Sequence, residues 1–435
     1  MNREILKLAI PNIISNITIP LLGLVDMILM GHLSSSVYLG AIALGGTIFS
    51  VLYSFFSFLR AGTTGFTAQS YGAGNSLEIS YSLYRSITIA ILASILIIGI
   101  QNPIAKISFI LLNGSDELKN LAMTYFYVRI WAAPANMLLY CLNGWFIGMQ
   151  NTRIPMVIAI IINVLNIIIS IICVLVLHQD VIGVALGTVI AQYCGLITAI
   201  VCLVVKYKAY LIRINTNILL NINKLKHFFK VNTDLMIRSI LLVLTIAFFT
   251  NQSAKFGDNI LSINMILLQS FYIFSYFTDG FAYAGEALVG KFVGAKDSKN
   301  LHRVVGQLFK WGLYICVPFA ILYTLFPTTF VKIISDNTEI IGEIRPYYIY
   351  MALIPIITFA AFLWDGIYIG ATASKAIRNT MLISSILVFL PMWYFLTPIY
   401  ENHGLWIAFL GFMVARGVSM TVFAKKNILQ LTENQ

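Results

Sequence analysis

The sequence has little charge for its length. Only 10% of its 435 residues are Asp, Glu, Lys or Arg, whereas a soluble chain carries roughly a quarter. In contrast, 59% of the residues are hydrophobic and the mean hydropathy is +0.87. One globular core cannot bury that much apolar surface in water, so most of the chain must be solvated by lipid. The composition therefore excludes a soluble protein and predicts an all-α polytopic membrane protein.

Sequence patterns for redox, metal or nucleotide chemistry are also scarce. The five cysteines lie in apolar stretches without C-x-x-C spacing, and the five histidines are scattered, which predicts buried free thiols, no metal site and no cofactor. The stretch "GEALVGKF" (285–292) has a P-loop spacing, but Phe292 stands where Ser or Thr is required. No nucleophile–base arrangement can be recognised, so we expect a protein that is not an enzyme.

Apolar runs of roughly 20 residues, the length of a membrane-spanning helix, recur along the whole chain. They predict about twelve transmembrane helices in two sets of six. The first set covers about 8–31, 39–70, 81–101, 121–148, 155–177 and 182–205, and the second covers about 233–253, 260–290, 304–327, 345–370, 380–398 and 404–424. We therefore expect an N-terminal six-helix bundle (1–205) and a C-terminal six-helix bundle (233–435).

A basic linker (206–232) joins the two sets. It carries six Lys or Arg residues and no acid, so the positive-inside rule places it in the cytoplasm. Counting spans outward from the linker places both termini there as well. The net charge of +11 follows this topology, which argues against nucleic acid as a partner.

The two sets are related by an internal repeat. "LNGWFIGMQNT" (142–152) aligns with "WDGIYIGATAS" (364–374), and "YGAGN" (71–75) aligns with "VGAKD" (293–297). The offset is the same in both cases, since 364 − 142 = 222 and 293 − 71 = 222. Six spans per repeat is an even number, so the halves should be related by a pseudo-two-fold axis along the membrane normal. Substrate sites in such proteins usually lie near the bilayer midplane.

Four acids fall well inside predicted spans: Asp26, Asp279, Glu286 and Asp365. Each costs about 2.5–3.5 kcal/mol at a helix centre on insertion scales, so each needs an explanation. One interpretation is a protonation or cation site, because burial of a carboxyl group favours its neutral form. The other is an acid that faces water or pairs with an intramembrane arginine, for which the candidates are Arg60, Arg129, Arg238 and Arg416.

The fifth predicted span carries a polar stripe. Asn163, Asn166 and Ser170 recur at spacings of three and four, which places them on one face of a helix. Such a stripe either holds two helices together by hydrogen bonds or lines a site. Asp26 in the same half favours a site.

The chain resembles the MATE (multidrug and toxic compound extrusion) family from end to end, and its DinF-type branch in particular. The resemblance is carried by "IPNIISNITIPLLGLVDMILMGHL" (10–33), "NVLNIIIS" (163–170), "FTDGFAYAGEALVGKFVGAKD" (277–297) and "LWDGIYIGATASKAIRN" (363–379). It implies two six-helix bundles with outward- and inward-facing states. It also implies export of organic cations or other amphipathic compounds in exchange for H⁺ or Na⁺, across the cytoplasmic membrane of a bacterium.

The resemblance also implies a coupling site in the N-terminal half. The branch's first-helix acid matches Asp26, its fifth-helix asparagine matches Asn166, and a sixth-helix threonine matches Thr188. Ser170 stands where the branch usually has a second acid, which favours H⁺ over Na⁺, although a Na⁺ site at the Asp26 cluster stays open. Pro11 frees a backbone carbonyl and permits a bend, as a passive kink or as a hinge.

Other branches of the family place coupling acids in the C-terminal half. Asp279, Glu286 and Asp365 are therefore a second candidate set. The expected partners are small amphipathic or cationic molecules, H⁺ or Na⁺, and the lipid bilayer, and we expect a monomer. Two alternatives stay open. One is a flippase for lipid-linked oligosaccharides of the same superfamily, and the other is a channel or receptor without coupled transport.

Overall fold

A computed structural model describes the backbone of residues 1–31, 36–112, 115–219 and 221–430. It describes the side chains of the same residues except 19–31, 36 and 111. Every regular element in these ranges is a helix.

The described residues of the first repeat form nine α-helices. They are α1 Asn2–Gly31, α2 Ser36–Phe56, α3 Phe58–Gly72, α4 Ser76–Gly99, α5 Gln101–Leu111, α6 Asp116–Arg129, α7 Ala133–Gly148, α8 Arg153–Ile171 and α9 Asp180–Tyr207. The span expected at 39–70 lies in one candidate membrane span, Val37–Gly72, in which a single turn residue, Ser57, separates α2 from α3. A single 3₁₀ turn, Ile130–Ala132, separates α6 from α7.

The rest of the chain, as far as the structure describes it, contains nine further α-helices. They are α10 Thr216–Leu219, α11 Ile222–Ala254, α12 Asp258–Gly294, α13 Ser298–Leu325, α14 Pro327–Ile334, α15 Thr338–Glu343, α16 Tyr348–Gly370, α17 Ser374–Leu382 and α18 Leu390–Ala424. The end of the basic linker is thus helical, since α11 begins at Ile222 and not near residue 233.

Within the described residues, nine helical segments are long and apolar enough to cross a membrane. The last of them, 374–429, is not straight, because Glu401 has a non-helical backbone conformation. Beyond Glu401 the chain folds back on itself: a side chain at Gly411 would come within 2.5 Å of the Met392 sulfur. This segment therefore contains two antiparallel helices, as expected for 380–398 and 404–424. The prediction of an all-α polytopic membrane fold is confirmed.

The helices form two compact units. The N-terminal unit comprises residues 14–71 and 75–228, and the C-terminal unit comprises 1–13, 72–74 and 229–435. The core of the N-terminal unit is built around Phe49, Phe126 and neighbouring aliphatic side chains. The core of the C-terminal unit is an aromatic cluster that includes Phe271 and Trp406.

Backbone geometry repeats at the offset of 222 residues. Two glycines in each repeat lie against the backbone of a neighbouring helix, the same turn has a positive φ angle, and the same helix is capped by an Asn or Asp side chain. The related pairs are Gly144 and Gly366, Gly148 and Gly370, Gln150 and Thr372, and Asn75 and Asp297. The repeat found in the sequence is therefore a repeat of structure.

Candidate functional site

Helices α8 and α9 approach each other closely in the N-terminal unit. The contact face of α9 carries a small residue at every fourth position, in the order Gly183, Gly187, Ala191 and Gly195. A side chain at Gly187 would collide with Ser170 of α8. Small residues at this spacing let two membrane helices come together, so that polar side chains beside them can reach across.

A hydrogen bond joins the two helices beside this small-residue face. The Asn166 side-chain amide donates to the Thr188 hydroxyl oxygen over 2.9 Å. The Thr188 hydroxyl in turn donates to the backbone carbonyl of Val184 over 3.1 Å. Asn166 and Ser170 are both buried, whereas Val164 and Ile168 on the opposite face of α8 are 48% and 46% exposed. The polar stripe thus faces the interior of the unit, and the aliphatic face of α8 is left for lipid.

Two oxygen atoms of this cluster are buried without a hydrogen-bond partner among the described residues. They are Oδ1 of Asn166 and Oγ of Ser170, one helical turn apart. A buried polar atom without a partner costs about 1–3 kcal/mol, so such atoms often mark a place where a ligand or proton binds. The helix also widens directly beyond Ser170 into a π-helical turn, Ile172–Val176, a feature frequent at functional sites.

The structure brings together only part of the predicted N-terminal site. Asn166, Ser170 and Thr188 lie in one cluster, whereas Asn163 is half-buried and makes no side-chain hydrogen bond with the described residues. Asp26 belongs to α1, but its side chain lies outside the described residues. Pro11 is buried within α1, which continues through it.

The C-terminal unit contains a buried charge cluster centred on Asp365. One carboxylate oxygen of Asp365 accepts hydrogen bonds from Arg238 and, over 2.6 Å, from Arg416. Asp365 and Arg416 are buried, and Oδ1 of Asp365 has no partner among the described residues. Protonation of Asp365 would leave two guanidinium groups without their shared counter-ion, which is costly inside a protein. Of the two interpretations of the intramembrane acids, Asp365 therefore fits the one in which the acid pairs with arginine.

The other two acids of the second candidate set lie on α12. Glu286 is buried, and Asp279 is half-buried and close enough to Arg416 to interact with it electrostatically. Both acids have interaction partners. Asp279 thus joins the charge cluster of the C-terminal unit.

Pairing of Asp365 with intramembrane arginines was one of the two interpretations left open, and the sequence also contained a signal for Arg238 and Arg416 in particular. Subtracting 222 from positions 238, 365 and 416 gives 16, 143 and 194, which are Asn16, Asn143 and Cys194. Each of these three charged positions is thus occupied by a neutral residue in the other repeat. Charges gained together at three repeat-related positions would have indicated that they interact.

Comparisons with known proteins agree with the fold and the repeat. The MatE family model matches residues 11–172 and again residues 235–395. DNA damage-inducible protein F of Escherichia coli K12 is 33% identical over 428 residues, which cover 98% of this chain and 92% of that protein. The probable multidrug resistance protein NorM of Pasteurella multocida is 25% identical, covering 100% of this chain and 94% of that protein.

Solved structures share the fold. A MATE crystal structure in the bent conformation superimposes with a TM-score of 0.87 at 18% identity, covering 100% of this chain and 96% of that one. The Vibrio cholerae MATE transporter VcmN in the bent form gives 0.86 at 17% identity, covering 99% and 98%.

Two helical repeats in one membrane-embedded chain are an architecture that many transporters share. The chain belongs to the MATE family of multidrug and toxic compound efflux transporters. It is a transporter and not an enzyme.

Proposed function

We propose that this transporter exchanges H⁺ for organic cations or other amphipathic compounds by alternating access. Asp26 carries the proton, and Asn166, Ser170 and Thr188 form its polar surroundings. The observation that carries the proposal is the Asn166–Thr188 hydrogen bond, with two buried oxygens one turn apart on α8 that have no partner among the described residues.

The chemistry of these oxygens suits a protonated acid. Oδ1 of Asn166 can only accept a hydrogen bond, and the Ser170 hydroxyl can accept or donate. A protonated carboxyl group supplies the missing O–H donor, whereas an ionised one supplies none. Ser170 in place of a second acid leaves one carboxylate in this cluster, which favours H⁺. Na⁺ bound by the same oxygens and Asp26 is the alternative coupling ion.

Proton binding and substrate binding then oppose each other. The protonated, neutral Asp26 lets the helices close around it, and the ionised form requires water or a cationic substrate. A ligand shifts such an equilibrium only through its different affinities for the two states. Proton and substrate are therefore expected to exclude one another, with Pro11 as the point at which α1 bends.

The membrane arrangement is part of the proposal. The protein lies as a monomer in the cytoplasmic membrane of a bacterium, with both termini and the basic linker in the cytoplasm. The chain is divided into the two six-helix bundles expected from its sequence, 1–205 and 233–435. The relatives from Escherichia coli and Pasteurella multocida are bacterial, which supports this localisation.

Two threonines of α9 allow a matched experiment. Thr188 and Thr198 each donate to the carbonyl four residues earlier, but only Thr188 is described as accepting from Asn166. Ethidium transport in everted vesicles is measured under a proton gradient and, separately, a Na⁺ gradient. We expect Asp26→Asn to abolish transport and Thr188→Val to lower it about fivefold, the effect of one lost hydrogen bond, while Thr198→Val matches the wild type.

Comparing transport under the two gradients identifies the coupling ion. Transport by the wild type under a proton gradient alone supports H⁺ exchange, and transport only under a Na⁺ gradient assigns the cluster to Na⁺. Undiminished transport by Asp26→Asn contradicts the site and directs attention to Asp279 and Glu286.

A further inference from the structure

A cavity lies in the C-terminal unit, at the end of α11 remote from the basic linker. It has a volume of about 680 Å³ and is bounded by Gln252, Lys255 and Phe256 on one side and by Trp393, Phe395 and Thr397 of α18 on the other. This volume is within the range of small-molecule sites. None of these residues belongs to the polar clusters described above.

The surroundings of the cavity are those of a membrane–water interface. Tyr394 and Phe395 at its edge are each 66% exposed, and Trp393 packs edge-on against Phe248. Trp and Tyr concentrate at the level of the lipid headgroups, where one part of the ring meets hydrocarbon and the other meets water. In the proposed topology this is the outer interface, so the cavity opens at the depth of headgroups and the first acyl carbons.

Three polar side chains at the cavity have no hydrogen-bond partner among the described residues. Gln252 is only 8% exposed, and its side chain makes no hydrogen bond with the described residues. The Trp393 indole N–H and the Thr397 hydroxyl are buried and also unpartnered in the described part of the chain. The Gln252 side chain carries two amide N–H donors. A ligand with acceptor oxygens would satisfy them.

The cavity is positively charged. Lys255 is exposed at its edge and forms no ion pair with any described carboxylate. The other residues that line the cavity are neutral. An anionic group is therefore favoured there over a neutral or cationic one.

We propose that this cavity binds one anionic phospholipid of the bilayer. The phosphate lies against Lys255, the ester oxygens accept hydrogen bonds from the Gln252 side-chain amide, and the acyl chains run along Phe256 and Phe395. Only an amphiphile with an acidic headgroup provides charge, acceptor oxygens and hydrocarbon in this order. The proposal does not depend on the coupling ion or on Asp26.

The test uses the purified full-length transporter and mass spectrometry of the intact protein–lipid complex. The probes are phosphatidylglycerol, phosphatidylcholine and inorganic phosphate. The variants are Lys255→Gln and the control Lys332→Gln, which changes an exposed lysine of α14 outside the cavity. Loss of one interfacial lysine should weaken binding of phosphatidylglycerol about fivefold. The Lys332→Gln variant should match the wild type.

A second measurement reports the position of the acyl chains. Phosphatidylglycerol brominated on its chains should quench part of the tryptophan fluorescence, and Trp393→Phe should remove that part although five of the six tryptophans remain. Equal retention of both lipids, or an unaffected Lys255→Gln variant, would overturn the proposal. Competition by inorganic phosphate without any effect of the acyl chains would assign the cavity to free phosphate, which also contradicts a lipid site.

Discussion

Replacing Asp365 with asparagine tests whether the charge cluster of the C-terminal unit is structural. The substitution keeps the shape of the side chain and removes the negative charge that Arg238 and Arg416 share. Arg416 is fully buried, and Arg238 is mostly so. Leaving a buried charge without its partner destabilises a protein by about 3–5 kcal/mol.

Two further variants isolate the cause of this loss. Asp365→Asn combined with Arg416→Gln removes one of the two unpaired cations, so it should be more stable than the single variant. Asp258→Asn, which changes an exposed acid in the first turn of α12, should cost only a few tenths of a kcal/mol. This ranking follows from burial and not from the loss of a negative charge as such.

The assay measures unfolding of the purified transporter in detergent. The readouts are the melting temperature and the free energy of unfolding from a denaturant titration. Ethidium transport is measured on the same variants. We expect Asp365→Asn to lower stability strongly and the double variant to recover part of it. An Asp365→Asn variant as stable as the wild type that no longer couples transport to a gradient would refute this reasoning, because Asp365 would then be a coupling acid.

Four further substitutions test other parts of the fold by thermal unfolding. Gly366→Ala should cost about 1–3 kcal/mol because its new methyl group meets the backbone carbonyl of α12, whereas Gly306→Ala, in open space within α13, should stabilise by about 1 kcal/mol. Glu401→Gly should stabilise by about 1 kcal/mol because Glu401 has φ 49° and ψ −126°, a conformation that favours glycine. Hydrogen bonds from the Asn300 backbone and side chain lower the pKa of Asp297, so its capping contribution is complete at neutral pH and is lost as the pH falls through that lowered pKa. Asp297→Asn should keep the cap and remove this pH dependence. A Gly306→Ala variant as damaging as Gly366→Ala, an unstable Glu401→Gly, or an unchanged pH profile for Asp297→Asn would contradict the respective account.

Much of the fold could be predicted because membrane helices leave a strong signal in composition. Apolar runs predicted the transmembrane helices, and two sequence matches at one offset of 222 residues predicted the internal repeat. The break at Ser57 and the reversal at Glu401 depend on local backbone conformation, which hydropathy does not report. The extension of α11 into the basic linker could not be predicted from hydropathy, because the Lys and Asn residues of its first turns are typical of a loop.

The candidate site was predictable in its polar residues but not in its contacts. The spacing of Asn166 and Ser170 placed them on one helix face. The small residues of α9 beside Thr188 are a further sequence signal, which indicates close contact with another helix. Pairing of Asp365 with two arginines depends on helices far apart in the sequence. Hydropathy identifies such charges as costly, and only the three-dimensional packing shows which of them neutralise each other.

The most direct test of proton exchange is the release of protons when substrate binds. Ethidium is added to the purified transporter in weakly buffered solution, and a pH-sensitive dye reports the protons released. The account predicts release by the wild type and none by Asp26→Asn. Equal release by both proteins, or substrate binding without any release from the wild type, would contradict the assignment of the exchanged proton to Asp26.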